Sequence, residues 1–248
     1  MYTNKHFIPT GIKALDTATG GLETGGLTFV ASRPSQGKTA FLVNVAANTA
    51  VYQCVPTAFF STEIGKQNLF ERLLGKMCHI KIAQLRNGYF SQEKYQQLIQ
   101  PALDNLQKAP LYIDDAATIS IDEICQRTCR LYKELSKTGV MLKLVAIDYF
   151  QLIKNSQAET NRILAQLREL AHKLEIALLI SVQCKRQKAN IQPSLSDIRL
   201  PTSEIQKEDK IVFLYGNTND KINLSHYTGT QKRDTLQIPF DKECGNMG

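Results

Sequence analysis

Short apolar runs alternate along the chain with longer stretches in which apolar residues return every three or four positions, a pattern that predicts strands alternating with helices. The runs are Leu27 to Ala31, Thr57 to Phe60, Leu111 to Asp115, a strand within KLVAIDYFQLI from Lys143 to Ile153, Ala177 to Val182, and Lys210 to Gly216. The first helical stretch, through Ile12, Leu15 and Asp16, is short and stops at Gly20 and Gly21. Phe41 to Val51 is apolar on almost every side, as a buried helix is. Further helices are predicted through Leu69, Leu73, Leu74 and Met77, over Ile80 to Arg86 and over Ser91 to Leu106. Ser120 with Glu123 makes a capping box for a helix through Ile121, Ile124, Cys125, Thr128, Tyr132 and Leu135. A last helix, through Ile163, Leu167, Leu170 and Leu174, crosses over to the fifth strand.

Strands alternating with helices in this way predict an α/β fold with a mostly parallel sheet covered by helices on both faces. Gln183 to Lys207 is long, basic and broken by prolines, and the tail beyond Gly216 reads as a C-terminal β-ribbon with turns at Asn217 to Asp220 and at Gly229. Residues 1–8 read as a short leader and 9–248 as a single domain.

Composition narrows the class. A chain of 248 residues, 43% of them apolar, can bury a full core as one large α/β domain. It has no apolar run near the ~18 residues of a membrane span and no signal-like leader in MYTNKHFIPTG, so a cytoplasmic protein without a membrane anchor is expected. Lys and Arg number 30 against 23 for Asp and Glu, and the net charge of +7 suits a polyanionic partner. Six cysteines (Cys54, Cys78, Cys125, Cys129, Cys184, Cys244) form no C-x-x-C pair. Cys125 and Cys129 share a helix face expected to be buried, so they read as core thiols of a reducing compartment rather than as zinc ligands.

The chemistry begins at FVASRPSQGKTA, Phe29 to Ala40, where an apolar strand breaks into a small polar loop that ends in Gly-Lys-Thr ahead of a helix. That is the setting of a phosphate-binding loop. The candidate set is Ser35, Gln36, Gly37, Lys38, Thr39 and Ala40: backbone N–H groups ring an anion at the helix dipole's positive end, Lys38 reaches the β and γ phosphates, and the Thr39 hydroxyl holds Mg²⁺. Ser32 stands where the formal pattern G-x-x-x-x-G-K-[ST] has its first glycine. In a parallel sheet ligands bind at the carboxyl ends of the strands. There Glu63 is the candidate to polarise an attacking water, Asp148 the candidate Mg²⁺ carboxylate, and Gln183 a further polar strand end. Asp114 rivals Asp148, but Asp114 and Asp115 precede the capping box and read as turn formers.

Taken together and in order, TG-I-x-x-LD, SRPSQGKT, FFSTEI, AIDYFQLI, SVQCKR and PSLSDIR resemble the motor domain of the DnaB family of replicative DNA helicases, built on a RecA-like P-loop NTPase core. The resemblance covers roughly Pro9 to Phe240. It implies a Mg²⁺-dependent ATP hydrolase working on single-stranded DNA, as a hexameric ring whose sites lie between subunits. By the same resemblance Glu63 is the catalytic glutamate, Arg72 an active-site arginine, Asp148 the Walker B aspartate and Gln183 the sensor of the γ-phosphate. Arg186 falls on the arginine that follows the sensor, and Asp197 with Arg199 on the loop that touches DNA in the ring's channel. Lys185, Arg186, Lys188 and Arg199 make a basic stretch with few aromatics, which predicts phosphate contacts rather than base stacking.

The chain departs from the family in two places. After Arg199 it reads Leu200, Pro201 and Thr202 instead of an acid followed by glycine, and Pro201 has no N–H to offer DNA. Where the family carries G-K-Q-R fingers that complete a neighbour's ATP site, this chain has Gly229-Thr230-Gln231-Lys232-Arg233, which puts Lys232 on the second finger and Arg233 one place beyond. Full-length members also have an amino-terminal domain and a linker helix, for which the sequence offers no counterpart. Two other readings stay open: a RecA-superfamily ATPase of the RadA or KaiC kind, and a non-catalytic helicase paralogue that binds nucleotide or DNA.

Overall fold

The computed structural model describes residues 7–148, 157–185, 191–198, 200, 203, 205–218, 221–241 and 246–247. The chain opens with strand β1 (Phe7–Ile8), helix α1 (Lys13–Thr19), β2 (Leu22–Glu23), β3 (Leu27–Ser32) and α2 (Lys38–Ala46). Then follow β4 (Thr57–Ser61), α3 (Lys66–Cys78), α4 (Ile82–Asn87), α5 (Gln92–Lys94), α6 (Gln100–Lys108) and β5 (Leu111–Asp114). After them come α7 (Ile121–Ser136), β6 (Leu144–Asp148), α8 (Gln157–Leu174), β7 (Ala177–Gln183) and the ribbon β8 (Lys210–Thr218), β9 (Lys221–Thr228), β10 (Gln231–Asp241) and β11 (Asn246–Met247).

One sheet has the order β11-β10-β9-β8-β3-β7-β6-β4-β5. From β8 to β5 every neighbouring pair is parallel, and beyond β8 the ribbon continues it antiparallel. The parallel strands are apolar on both faces because helices cover both. On one face Val30, Phe59, Leu144, Ala146, Leu179 and Val212 pack with α2 and α3. On the other, Phe29, Phe60, Val145, Ile147, Ile180 and Phe213 pack with α7 and α8. Side chains alternate along a strand, so continuing each strand to its carboxyl end puts Ser32, Ser61, Asp148 and Ser181 on the α2/α3 face. All four are buried. There the apolar layer gives way to a polar floor beneath the start of α2.

Several local expectations are revised. Phe7 and Ile8, assigned to the leader, form β1, which pairs antiparallel with β2, and Ile8 enters the core. The helix expected over Phe41 to Val51 starts earlier, at Lys38, and continues as a π-helical turn, Ala47–Tyr52. The single helix expected over Ser91 to Leu106 is interrupted by a π-helical segment, Tyr95–Ile99. Pro101 lies in the first turn of α6, where its ring and missing N–H oppose a regular i to i−4 ladder with the preceding turn. The capping box forms as expected: Ser120 Oγ accepts from Glu123 N, and Ser120 N donates to Glu123 Oε2. The part of KLVAIDYFQLI after Asp148 lies outside the described residues. Cys125 and Cys129 pack against the α7/α8 core but are only half-buried, Cys54 is exposed, and burial pushes the Cys125 thiol up to about 11. Among the described residues no His, Cys, Asp and Glu cluster could hold a metal ion, and no helix is long and apolar enough to cross a membrane.

Candidate active site

The loop between β3 and α2 carries the phosphate-binding geometry. Ser35 (φ 60°) and Gly37 (φ 91°) both take left-handed backbone, the alternation that gathers successive N–H groups into an anion nest. At φ 91° a side chain on residue 37 would be strained, so glycine is required there. Gly37 then caps α2, whose first-turn residues Lys38, Thr39 and Ala40 stand at the positive end of the helix dipole. Lys38 is buried, and its Nζ donates to Ser32 Oγ at 3.3 Å. Ser32 Oγ in turn donates to the Arg33 carbonyl at 2.8 Å. The serine in the place of the pattern's first glycine therefore holds the lysine as well as permitting the turn. Burial pushes the Lys38 ammonium below its usual range, opposed by the charges of Glu63 and Asp148.

Asp148 ends β6 fully buried. Its Oδ1 accepts from Ser181 Oγ at 2.7 Å, while Oδ2 is buried with no hydrogen-bond partner. Burial pushes its pKa up, and the Ser181 and Thr39 hydroxyls and the charges of Lys38 and Arg72 pull it down. A buried carboxylate oxygen left open beside the Thr39 hydroxyl fits a divalent cation, which keeps several of its own waters and takes few protein oxygens. The anion nest and the buried ammonium likewise fit a polyphosphate. Asp114 does not compete for this role. It ends the edge strand β5, where it accepts from Arg127 at 2.7 Å, and Asp115 accepts from the Lys66 N–H at the start of α3.

Glu63 stands on a short turn after β4, held from two sides. Ser61 Oγ donates to the Ile64 carbonyl at 2.6 Å, and Thr62 N donates to the Asp148 carbonyl at 2.6 Å. The turn thus links the ends of neighbouring strands β4 and β6 and leaves Glu63 exposed to solvent while its charge still acts on Lys38. Arg72, half-buried on α3, approaches Asp148 closely enough to act on its ionisation. One turn further on, Lys76 is buried and donates to Asn44 Oδ1 of α2 at 2.7 Å, tying α3 to the helix that starts at the phosphate loop. Burial alone pushes Lys76 down to about 8. Gln183, half-buried at the end of β7, pairs in register with Ser32.

Lys38, Thr39, Glu63, Arg72, Asp148 and Gln183 are thus brought together, but other candidates are not. Lys232 and Arg233 are exposed at the start of β10, at the opposite end of the sheet. Lys232 pairs with Tyr227, which pairs with Ile211, whereas Ser32 pairs with Leu214. That offset is about 10 Å along the strands and about 14 Å across them, more than either side chain can span within one chain. The ladder is irregular between Lys232 and Thr235. The pairing therefore does not fix which face of the ribbon Arg233 takes. Lys185 is exposed, and its Nζ donates to the Ser196 carbonyl at 3.0 Å. Asp197, expected on a DNA-touching loop, is buried, and it accepts from Ser194 N at 2.8 Å and Ser194 Oγ at 3.1 Å, so it shapes the loop from inside. Arg186, Lys188, Arg199, Pro201 and Thr202 lie outside the described residues.

Sequence reasoning missed Ser61, Ser181 and the structural part played by Ser32. Each is a serine in or ending a largely apolar strand, the local sign that could have marked it.

The sequence profile of the family described as DnaB-like helicase C terminal domain matches residues 7–242. The chain is 34% identical to the replicative DNA helicase DnaB of Geobacillus stearothermophilus, over 95% of this chain and 55% of that protein. It is 36% identical to the replicative DNA helicase DnaC of Bacillus subtilis (strain 168), over 84% of this chain and 47% of that protein. It thus spans about half the length of these curated relatives. A solved ATPase domain superposes with a TM-score of 0.84 at 25% identity, covering 99% of this chain and 92% of that one. With its RecA-like sheet and its phosphate loop, the chain belongs to the DnaB-like helicase C-terminal domain family.

Proposed function

We propose that this chain is the ATP-hydrolysing motor of a replicative DNA helicase, acting on single-stranded DNA as a homo-oligomeric ring, most simply a hexamer. The observation that carries the reading is the convergence of Lys38, at the start of α2, with Asp148, at the end of β6, and Glu63, just past β4, beside the phosphate loop. The backbone of Ser35 to Ala40 and the Lys38 ammonium would bind the phosphates of ATP. Thr39 Oγ1 and the open Oδ2 of Asp148 would hold Mg²⁺, which would neutralise charge on the phosphates. Glu63, at the solvent boundary, would accept the proton of the attacking water. Gln183 would report the γ-phosphate to the segment after β7, where Lys185, Arg186 and Arg199 would meet DNA phosphates. Lys232, with Arg233 beside it, would act on the ATP of a neighbouring subunit.

The test is Mg²⁺-dependent ATPase activity with and without single-stranded DNA, together with separation of a forked duplex. Stimulation by DNA and strand separation in the wild-type protein, both lost in Glu63→Gln while ATP still binds, is the expected result. ATP hydrolysis that drives pairing of homologous strands without separating the fork would assign the chain to recombination instead.

A further inference from the structure

Arg33 follows directly on the strand that ends in Ser32, yet its guanidinium is turned away from solvent. It is buried, 4% exposed. Its Nη1 donates to the carbonyl of Ile191, 158 residues away, at 2.8 Å. Burying a guanidinium costs several kcal/mol unless polar partners compensate. A phosphate loop that needed only a positive charge could keep this one in water.

The bond has a defined mechanical setting. On one side the Arg33 backbone is part of the loop, because its carbonyl accepts from Ser32 Oγ at 2.8 Å and from Gln36 N at 3.4 Å, and Ser32 Oγ accepts from Lys38 Nζ. On the other side Ile191 begins a stretch fastened back to the end of β7. Cys184 N donates to the Ser32 carbonyl at 2.9 Å, Lys185 N to the Asp197 carbonyl at 2.8 Å, and Cys184 bridges to Ile198. The Ser194–Asp197 capping box closes the turn between them. Cys184 lies in the middle of this arrangement, fully buried and within reach of the charges of Asp197, Lys38 and Arg33.

We infer that Arg33 is a positioning residue that couples the two ligand sites: its bond to the Ile191 carbonyl makes segment 191–198 follow the phosphate loop, so that nucleotide occupancy sets single-stranded DNA affinity. This rests on the proposed function, which supplies the DNA. The guanidinium suits the task because a charged donor makes a shorter and stronger hydrogen bond to a buried carbonyl than a neutral one does. By linkage, DNA must then change nucleotide affinity by the same factor.

The experiment measures the affinity of the full chain for a labelled oligothymidylate with and without Mg²⁺ and the non-hydrolysable analogue AMP-PNP, and the affinity for the analogue itself. In the wild type the analogue should tighten DNA binding about tenfold. In Arg33→Ala that ratio should fall to about threefold, with Gln183 carrying what remains, while each ligand alone binds within about threefold of the wild type, and Arg33→Lys should restore part of the ratio. Arg33→Met, which keeps the buried alkyl volume, gives the same reading if the alanine variant melts too low to assay. A wild-type ratio in a folded Arg33→Ala or Arg33→Met overturns the inference. So does outright loss of analogue binding, which would place Arg33 in the nucleotide site itself. Wild-type protein that binds the analogue but no oligonucleotide overturns the proposed function, and the role of Arg33 with it. Wild-type protein that binds both with a ratio of one overturns the coupling by Arg33, and that by Gln183, while DNA-stimulated hydrolysis and strand separation test the rest of the proposed function separately.

Discussion

At the carboxyl ends of the parallel strands, the side chains assigned to chemistry are buried or held by neighbours: Lys38 on Ser32, Asp148 on Ser181, and the Glu63 turn on Ser61 and the Asp148 carbonyl. At the foot of the ribbon, Lys232 and Arg233 are exposed beside an irregular stretch of ladder. The first region is preorganised within one chain. The second cannot reach the first in the same chain, and its two charges gain a defined target only if another molecule brings one. A buried, strained loop and an uncompensated carboxylate oxygen cost folding stability, whereas exposed charges cost almost nothing. Mutations should therefore separate the two regions by what they do to stability as well as by what they do to turnover.

The largest effect is expected at Glu63. Glu63→Gln should lower kcat for ATP by about 10²- to 10⁴-fold, the usual worth of a general base, with nucleotide affinity preserved. Lys38→Ala should instead weaken nucleotide binding. Rapid single-turnover measurements separate the two, and full turnover in Glu63→Gln would remove it from the mechanism. Next comes Lys232→Ala, expected to cost about a hundredfold in assembled protein. That is less than the ~10³-fold or more of a guanidinium finger, because an ammonium is a point charge without the planar fork. Its melting temperature should stay at the wild-type value, and a fall would mean that the ribbon foot is structural.

A smaller effect, of opposite sign, marks the buried side. Burial holds the Asp148 pKa above its unfolded value, so ionising it costs the folded state stability at any pH above the folded pKa. Without Mg²⁺, Asp148→Asn should melt higher than the wild type at neutral pH, by about 2–4 °C per kcal/mol relieved. The advantage should fade as pH falls through the raised pKa toward the unfolded value, where both states bind the proton. A variant that melts lower at neutral pH would show that the carboxylate is compensated in a way its open Oδ2 does not suggest. The smallest effect belongs to Lys185, whose replacement by alanine should weaken single-stranded DNA binding slightly and reduce the salt slope of the affinity by about 1. An unchanged slope would take Lys185 off the DNA path.

What could be read from the sequence follows how local each cause is. The Ser120 capping box, the strand that leads into the phosphate loop and the strand that ends in Asp148 are set by residues within one turn or one run, and they form where expected. The π-helical segment before Pro101 was also local in cause, but periodicity does not register a proline that widens a helix instead of ending it. Phe7–Ile8 was missed because a two-residue strand is too short to show alternation. In the candidate site, the placement of Thr39, Glu63 and Asp148 beside the loop motif was legible from the strand ends. The hydroxyls that hold them were not, because Ser181 meets Asp148 only if β7 and β6 are neighbours, and strand order is set by long-range packing rather than by any local pattern.

The division into a prebuilt half-site and a half supplied by a neighbour is tested most directly by mixing Lys232→Ala subunits with Glu63→Gln subunits, each expected at about a hundredth of wild-type activity or less alone, and measuring ATP hydrolysis. In mixed rings roughly a quarter of the interfaces pair an intact Glu63 on one subunit with an intact Lys232 from the next, so activity should return to a corresponding fraction of the wild type. No recovery although mixed rings form, or wild-type turnover per subunit that is the same at every protein concentration down to the monomer, would contradict it.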